Sequence, residues 1–121
     1  MNKRILIVDD DASIVRLLSL RLQAKNYKVL KAYDGLECVK IALKEVPDLI
    51  LMDIKMPKID GIGTFEKLLQ SDITRNIPVI FMTAYFRTEI NNQLLKFGAK
   101  ACISKPFVSV DFEQTIATTL G

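Results

Sequence analysis

The sequence predicts an α/β protein built on one doubly wound, five-stranded parallel sheet with five helices. Five short runs rich in apolar and β-branched residues alternate with five longer amphipathic stretches, and only short links join them. Three of these runs are continuously apolar, which is typical of strands that are covered on both faces. Folds of this class place their ligand sites outside the carboxyl ends of the strands, so we expect the chemistry at that edge of the sheet.

The five predicted strands differ in how apolar they are. Residues 5–8, 49–52 and 79–82 are entirely apolar, so we expect these three strands at the centre of the sheet. The other two strands contain polar residues and suit the edges. The predicted strands are Arg4–Val8, Lys28–Ala32, Leu49–Asp53, Val79–Thr83 and 100–104.

Apolar residues recur every three or four positions in the five intervening stretches, as expected of helices that pack one face on a sheet. In the first helix Ile14, Leu18 and Leu22 form the core stripe, and Leu20 falls on the opposite face. Gly98 is predicted to end the fourth helix as its cap. The predicted core stripes of the later helices are Val39, Leu43 and Val46; Phe65, Leu68 and Leu69; Ile90, Leu94 and Phe97; and Phe112, Ile116 and Leu120.

Length and composition limit the possible functions. At 121 residues the chain has room for one domain, 1–121, and no apolar run approaches the roughly 18 to 20 residues that cross a bilayer. We therefore expect a cytoplasmic protein without membrane contact. Cys38 and Cys102 have neither metal-site nor disulfide-framework spacing and are expected to be reduced thiols. The net charge of +3 is small and dispersed, which gives no indication of nucleic-acid binding.

Reactive side chains follow four of the predicted strands. Asp9 and Asp10 follow the first strand, Asp53 ends the third, Thr83 ends the fourth and Lys105 follows the fifth. Because the carboxyl ends of parallel strands meet at one edge, we expect three carboxylates, a hydroxyl and an ammonium to converge there.

This combination suits metal-assisted phosphoryl transfer to a carboxylate. Such a transfer needs an acceptor in line with the donor, a divalent cation and fixed donors for the phosphoryl oxygens. Mg²⁺ prefers oxygen ligands, and the absence of histidine argues against zinc. Other acids and loop residues have simpler interpretations: Asp11 as the cap of the first helix, Asp60 as a structural residue, and Pro57 and Gly61 as loop-shaping residues.

Four segments together resemble the receiver domain of bacterial two-component response regulators over essentially the whole chain. They are residues 5–11 with the acid pair, 52–61 with the acceptor, 82–84 with the switch hydroxyl and 104–107 with the lysine-proline turn. The resemblance implies the strand order 2-1-3-4-5. It also implies that Asp53 accepts a phosphoryl group from a phosphohistidine on a sensor histidine kinase or histidine phosphotransfer protein, and that a downstream effector domain or protein responds.

The resemblance also implies roles for individual residues. Asp10 and Asp53 would bind Mg²⁺ directly, Asp9 would assist through a water molecule, and the main-chain carbonyl of Lys55 would complete the protein ligands. The same resemblance assigns the phosphoryl oxygens to Thr83 and Lys105, and a cis peptide bond to Pro106.

Three positions distinguish this chain within the family pattern. Cys102 stands three residues before the lysine, where most receivers carry Tyr or Phe as a rotameric switch, and we expect it to pack as a small thiol. Lys55 and Tyr85 occupy the two positions that tune the lifetime of the phosphoryl group. Because both side chains are large, we predict that they obstruct the attacking water and slow dephosphorylation.

The Lys55 and Tyr85 pair is also similar to the single-domain receivers of sporulation-type phosphorelays, which pass phosphate on rather than act on DNA. The sequence ends at Gly121, directly after the fifth predicted helix, which fits such a protein and equally fits the receiver part of a longer regulator. In both cases we expect a signalling domain rather than an enzyme, without direct nucleic-acid contact.

Three other classes of protein fit the sequence less well. A Mg-dependent aspartyl-phosphate phosphohydrolase needs a second acid two residues after its nucleophile, where this chain has Lys55. A flavodoxin-like electron carrier needs a Ser/Thr-rich phosphate loop, which this edge does not offer. A degenerate receiver that acts only as a protein-binding module would not require the complete set of reactive residues.

Overall fold

The computed structural model describes residues 2–84, 87–105 and 109–121, and within the last range the side chains from residue 112 onwards. It contains the predicted five strands and five helices in alternation. The strands are β1 (Arg4–Val8), β2 (Lys28–Ala32), β3 (Leu49–Asp53), β4 (Val79–Thr83) and β5 (Ala101–Ser104). The helices are α1 (Ala12–Ala24), α2 (Gly35–Glu45), α3 (Gly61–Leu69), α4 (Thr88–Lys96) and α5 (Ser109–Leu120).

The sheet confirms the predicted class and strand order. All neighbouring strands pair in parallel, in the order β2-β1-β3-β4-β5. The three apolar strands lie at the centre and the two weaker ones at the edges, as predicted. Strand β5 begins one residue later than predicted, although the Lys100 N–H still donates to the Val79 carbonyl at 2.9 Å.

Helices cover both faces of the sheet and create two core layers. On one face α1 contributes Leu18 and Leu22 and α5 contributes Phe112 and Ile116, all fully buried. The other face is covered by α2, α3 and α4, and Phe65 and Phe81 meet there edge to face with ring centroids 5.4 Å apart. With both faces covered, access from solvent is concentrated at the ends of the strands.

The predicted core stripe of α2 was wrong for Leu43 and Val46, whereas Val39 is partly buried against the core as predicted. The buried residues of this helix are Gly35, Cys38 and Ala42, whereas Leu43 is 40% and Val46 is 46% exposed. Gly35 lies so close to Thr64 of α3 that a Cβ atom there would overlap the threonine hydroxyl. The helix therefore packs through its small residues, because close approach to α3 leaves no room for the larger ones.

Two predicted core residues at the ends of other helices were also wrong. Leu69 in the last residue of α3 is 37% exposed, and Phe97 directly after α4 is 62% exposed. Both lie at the C-terminal ends of their helices, beyond the last buried residue of each stripe, where the helical period no longer determines which side is covered. The inner members of the same stripes, Leu68 and Leu94, are buried as predicted.

Helix termini follow the sequence signals. Asp11 caps α1 by accepting from the Ser13 N–H at 2.9 Å, and Asp60 caps α3 by accepting from the Gly63 N–H at 2.8 Å. Gly98 has a φ of +108°, and the N–H groups after α4 bond back to Leu95 and Leu94, as in a glycine-terminated helix. No helix in the described part of the chain has the length and apolarity needed to cross a membrane.

Candidate functional site

The reactive side chains predicted from the sequence come from neighbouring strand ends. The Asp9 N–H continues the β1 ladder by donating to the Ala32 carbonyl at 3.2 Å, and Asp53 is the last residue of β3. Thr83 ends β4, and the N–H of Lys105 donates to the Thr83 carbonyl at 2.7 Å. Main-chain hydrogen bonds of the sheet therefore fix the backbone position of each of these residues.

Lys105 bridges two buried carboxylates. Its Nζ donates to Asp9 Oδ2 at 2.8 Å and lies 3.2 Å from Asp53 Oδ1. The second oxygen of Asp9, Oδ1, accepts from the Asp11 N–H at 3.0 Å. Asp9 is 1% and Asp53 is 6% exposed, so the ion pairs lie in a place where water screens them weakly.

Three carboxylates lie close enough to share one cation. Asp9, Asp10 and Asp53 each offer an oxygen, and these oxygens lie within 4.8 Å of one another. Asp10 is exposed while the other two are buried, so the group opens toward solvent on one side. A set of carboxylate oxygens without nitrogen or sulfur fits a hard divalent cation such as Mg²⁺.

The pKa values of two residues reflect this crowding. Burial, followed by the charge of Asp9, raises the pKa of Asp53 to about 6, and Asp10 adds to the effect while Lys105 opposes it. For Lys105, burial lowers the pKa, but the hydrogen bond to Asp9 and the charges of Asp53 and Asp9 outweigh it and leave the pKa raised. Lys105 therefore stays charged at neutral pH, and a further positive charge nearby would lower the pKa of Asp53.

The other predicted site residues lie around this cluster. Thr83 is buried and pairs in register with Ser104, next to Asp53 whose partner is Met82. Lys55 is exposed and lies two residues beyond the end of β3. Cys102 is partly buried on β5 and packs against the core layer of α2, α3 and α4. Tyr85 and Pro106, predicted as a tuning residue and a cis peptide, fall outside the described residues.

A backbone contact beside Asp53 was missed by the sequence reasoning. The N–H of Ile54 donates to the Met82 carbonyl at 3.0 Å, and the Ile54 carbonyl accepts from the Gly61 N–H at 2.7 Å. Gly61, interpreted from sequence only as a loop-shaping residue, thus lies against the peptide that follows Asp53. The Asp60-Gly61 pair is the one sequence signal for this contact. Asp60 marks the start of α3, and Gly61 has no side chain that would keep the helix start away from a neighbouring backbone.

Comparison with known proteins places this site in a family. The family model described as the response regulator receiver domain matches residues 5–117. The polar-differentiation response regulator DivK of Brucella anthropi is 35% identical over 121 residues, which cover 100% of this chain and 98% of DivK. The transcriptional regulator RpaA of Synechocystis is 37% identical over 94% of this chain.

Several matched relatives are longer than this chain, which spans 46% of the length of RpaA. Among solved structures, the chemotaxis protein CheY4 of Vibrio cholerae has a TM-score of 0.92 with 27% identity, covering 98% of this chain and 99% of CheY4. The family-model match, the similarity to DivK along its length and the fold shared with CheY4 all agree with the acid cluster found at the strand ends. The chain therefore belongs to the family of response regulator receiver domains, which act in two-component signalling.

Proposed function

We propose that Asp53 accepts a phosphoryl group from a phosphohistidine of a sensor histidine kinase or histidine phosphotransfer protein, in a Mg²⁺-dependent reaction in the cytoplasm. The phosphorylated protein then controls the binding of a downstream effector domain or protein, or relays the phosphate. One observation carries this proposal: the buried Asp53 carboxylate lies 3.2 Å from the Lys105 ammonium and shares a cation-sized group of oxygens with Asp9 and Asp10.

The hydrogen bonds of the carboxylates support the predicted roles, in which two of them bind the metal directly and one binds it through water. Both oxygens of Asp9 already accept hydrogen bonds, from the Asp11 N–H and from Lys105, which favours an indirect role through water. Asp10 and Asp53 are then the direct carboxylate ligands, together with the main-chain carbonyl of Lys55. When bound, Mg²⁺ would neutralise charge on the phosphoryl oxygens and reduce their repulsion from the acceptor.

The transfer itself uses groups of the chain. A carboxylate oxygen of Asp53 forms a bond to phosphorus while the bond between phosphorus and the donor imidazole nitrogen breaks, and that nitrogen leaves with the bonding electrons. Lys105 Nζ, which contacts Asp53 before the transfer, and the Thr83 hydroxyl donate to the phosphoryl oxygens. Because Asp53 itself receives the phosphoryl group and is regenerated when that group leaves, we propose a signalling domain that assists its own phosphorylation and dephosphorylation, not an enzyme with a separate substrate.

The donor protein is proposed to dock over the acid cluster and α1. The N-cap of this helix, Asp11, directly follows the acid pair, and the helix carries the exposed apolar residues Leu17 and Leu20. A Leu17→Ala, Leu20→Ala variant should react normally with acetyl phosphate but slowly with a phosphorylated donor protein, since it keeps the chemistry and loses contact area.

The first test is intact mass after incubation with acetyl phosphate and Mg²⁺. We expect gain of one phosphoryl group by the parent and none by Asp53→Asn or in EDTA. Asp60→Asn is the matched control, because asparagine still caps α3 and the change is otherwise the same. Folded, Mg²⁺-binding protein that gains no phosphate would favour the degenerate binding module, whereas repeated release of phosphate from added phosphomonoesters would favour the phosphohydrolase.

A further inference from the structure

Gly61, the first residue of α3, lies directly against the backbone of Asp53. A Cβ atom placed on Gly61 would overlap the Asp53 carbonyl oxygen, and it would lie 2.9 Å from Ile54 Cα and 3.1 Å from the Asp53 carbonyl carbon. These are backbone atoms, so they cannot turn aside as a side chain does. Any larger residue at position 61 must move either α3 or the end of β3.

Glycine is needed here for space and not for an unusual conformation. Among the described glycines, Gly98 and Gly121 have positive φ, and Gly61 does not. The Gly61 N–H donates to the Ile54 carbonyl at 2.7 Å, and the Ile54 N–H donates to the Met82 carbonyl of β4 at 3.0 Å. The residue after the acceptor is therefore held on one side by the sheet and on the other by α3.

The two neighbouring buried or half-buried glycines have a different kind of contact. A Cβ atom on Gly35 would meet first the Thr64 hydroxyl, and a Cβ atom on Gly63 would meet Ile59 Cγ2 at 3.0 Å. In both cases the closest contact is with a side-chain atom and not with the backbone. Among these three positions, only Gly61 has its closest contact with the backbone of a predicted phosphoacceptor.

We propose that Gly61 is a positioning residue for the acceptor site. By allowing α3 to start against the Asp53 carbonyl, it sets where the Asp53 carboxylate lies and, two residues further on, where the Lys55 carbonyl lies. This inference rests on the proposed function of Asp53. A displacement of about 1 Å is enough to slow a geometry-dependent reaction on the order of a hundredfold.

The test compares Gly61→Ala with Gly63→Ala. Both changes put alanine in the first turn of α3 and raise its helix propensity equally, so the difference between them isolates the contact with Asp53. For Gly61→Ala we expect the Mg²⁺ dissociation constant to rise about tenfold or more, and the rate of acetyl phosphate labelling at saturating Mg²⁺ to fall by about as much. Gly63→Ala should match the parent in both measurements.

The outcomes separate positioning from a purely structural role. If Gly61→Ala only lowers the urea midpoint and keeps the parent's Mg²⁺ affinity and labelling rate, the proposal is wrong. Equal losses in both variants would also overturn it. If the parent itself takes no phosphate, the proposed function fails, but the Mg²⁺ affinities of the two variants still decide whether Gly61 positions the acid cluster.

A measurement on the parent protein covers the case in which Gly61→Ala does not fold. In an NMR titration with Mg²⁺, the amides of Ile54 and Gly61 should shift with the same dissociation constant as the amide of Asp53, while that of Gly63 stays nearly constant. Absence of a response at Ile54 and Gly61 would show that α3 is not coupled to the acceptor, and would overturn the proposal.

Discussion

At the scale of single residues, the surroundings of Asp53 make its negatively charged form unfavourable. Burial and the nearby Asp9 raise the pKa of Asp53 from its ordinary value of 3.8 to about 6, although Lys105 partly opposes them. A carboxyl with a raised pKa binds its proton more tightly in the folded protein. Its contribution to stability is therefore complete below about pH 4 and is lost as the pH rises to about 6.

Replacing Asp53 by asparagine should stabilise the metal-free protein at pH 7. The free energy of unfolding should rise by about 1 to 3 kcal/mol, because the like-charge repulsion and the cost of burying the anion disappear. Urea unfolding in EDTA between pH 4 and pH 8 measures this, with Asp72→Asn on the surface as the control. Parallel pH curves for the parent and Asp53→Asn would contradict the pKa argument.

Lys55 is predicted to shield the phosphorylated acceptor from water. A Lys55→Ala variant keeps the main-chain carbonyl but shortens the exposed side chain, so phosphate should be lost faster, by a factor on the order of ten. Mass spectrometry after removal of acetyl phosphate follows the decay. Lys67→Ala, at an exposed position on α3, is the control. A decay as slow as the parent's would mean that the side chain does not obstruct the attacking water.

The sequence predicted that these reactive side chains converge, because strand ends in a parallel sheet meet at one edge. It predicted one ammonium near three carboxylates, and the structure places Lys105 against two of them, Asp9 and Asp53. It did not show that Gly61 touches the Asp53 backbone, since contact between a helix start and a neighbouring strand end depends on tertiary packing and leaves no periodic pattern.

At the scale of elements, α2 ends in a strained residue. Its cap, Val46, has a φ of 43° and a ψ of 69°, a left-handed conformation that a β-branched residue adopts at a cost. The side chain is 46% exposed, so it gains little from packing. The strain lies before β3, at the end of the strand away from the acid cluster.

Val46→Gly should therefore stabilise the protein by about 0.5 to 1 kcal/mol, because relief of the left-handed strain outweighs the greater freedom of glycine in the unfolded chain. Urea denaturation measures the change. Gln70→Gly is the matched control, since this cap of α3 has a φ of −78° and needs no glycine. Equal gains in the two variants would show that left-handed strain is not the cause.

Helix faces were only partly predictable. The period of apolar residues identified the buried stripes of α1 and α5, where large residues meet the sheet directly. It failed on α2 because packing against α3 selected the small residues Gly35, Cys38 and Ala42 over the larger Leu43. A periodic pattern reports hydrophobicity, whereas the distance between two helices depends on side-chain size.

At the scale of the whole molecule, the order of the strands could not be read from periodicity. Alternating strands and helices predict a parallel sheet, but the order 2-1-3-4-5 came from the family resemblance. The structure confirms that order and thereby places β3, which carries Asp53, between β1 and β4. The acid pair and the hydroxyl consequently flank the acceptor from opposite sides.

Mg²⁺ should stabilise the entire fold, because the carboxylates proposed to bind it are brought together only in the folded state. At a concentration a hundred times the dissociation constant, the free energy of unfolding should rise by about 2.7 kcal/mol. Thermal unfolding in increasing Mg²⁺ should show a rising Tm that EDTA reverses. Asp10→Asn should reduce the rise, and an undiminished rise in this variant would place the cation elsewhere.

The pairing of Lys105 with Asp9 spans 96 positions along the chain. During synthesis on a ribosome, the segments that contain Asp9 and Asp53 emerge well before β5 and its lysine. A nascent chain at that stage carries the acid cluster without the ammonium that bridges it, and lacks the edge strand that holds Thr83 from the other side. If Asp53 is the phosphoacceptor proposed above, we expect the chain to become competent for phosphoryl transfer only after β5 and Lys105 have been synthesised.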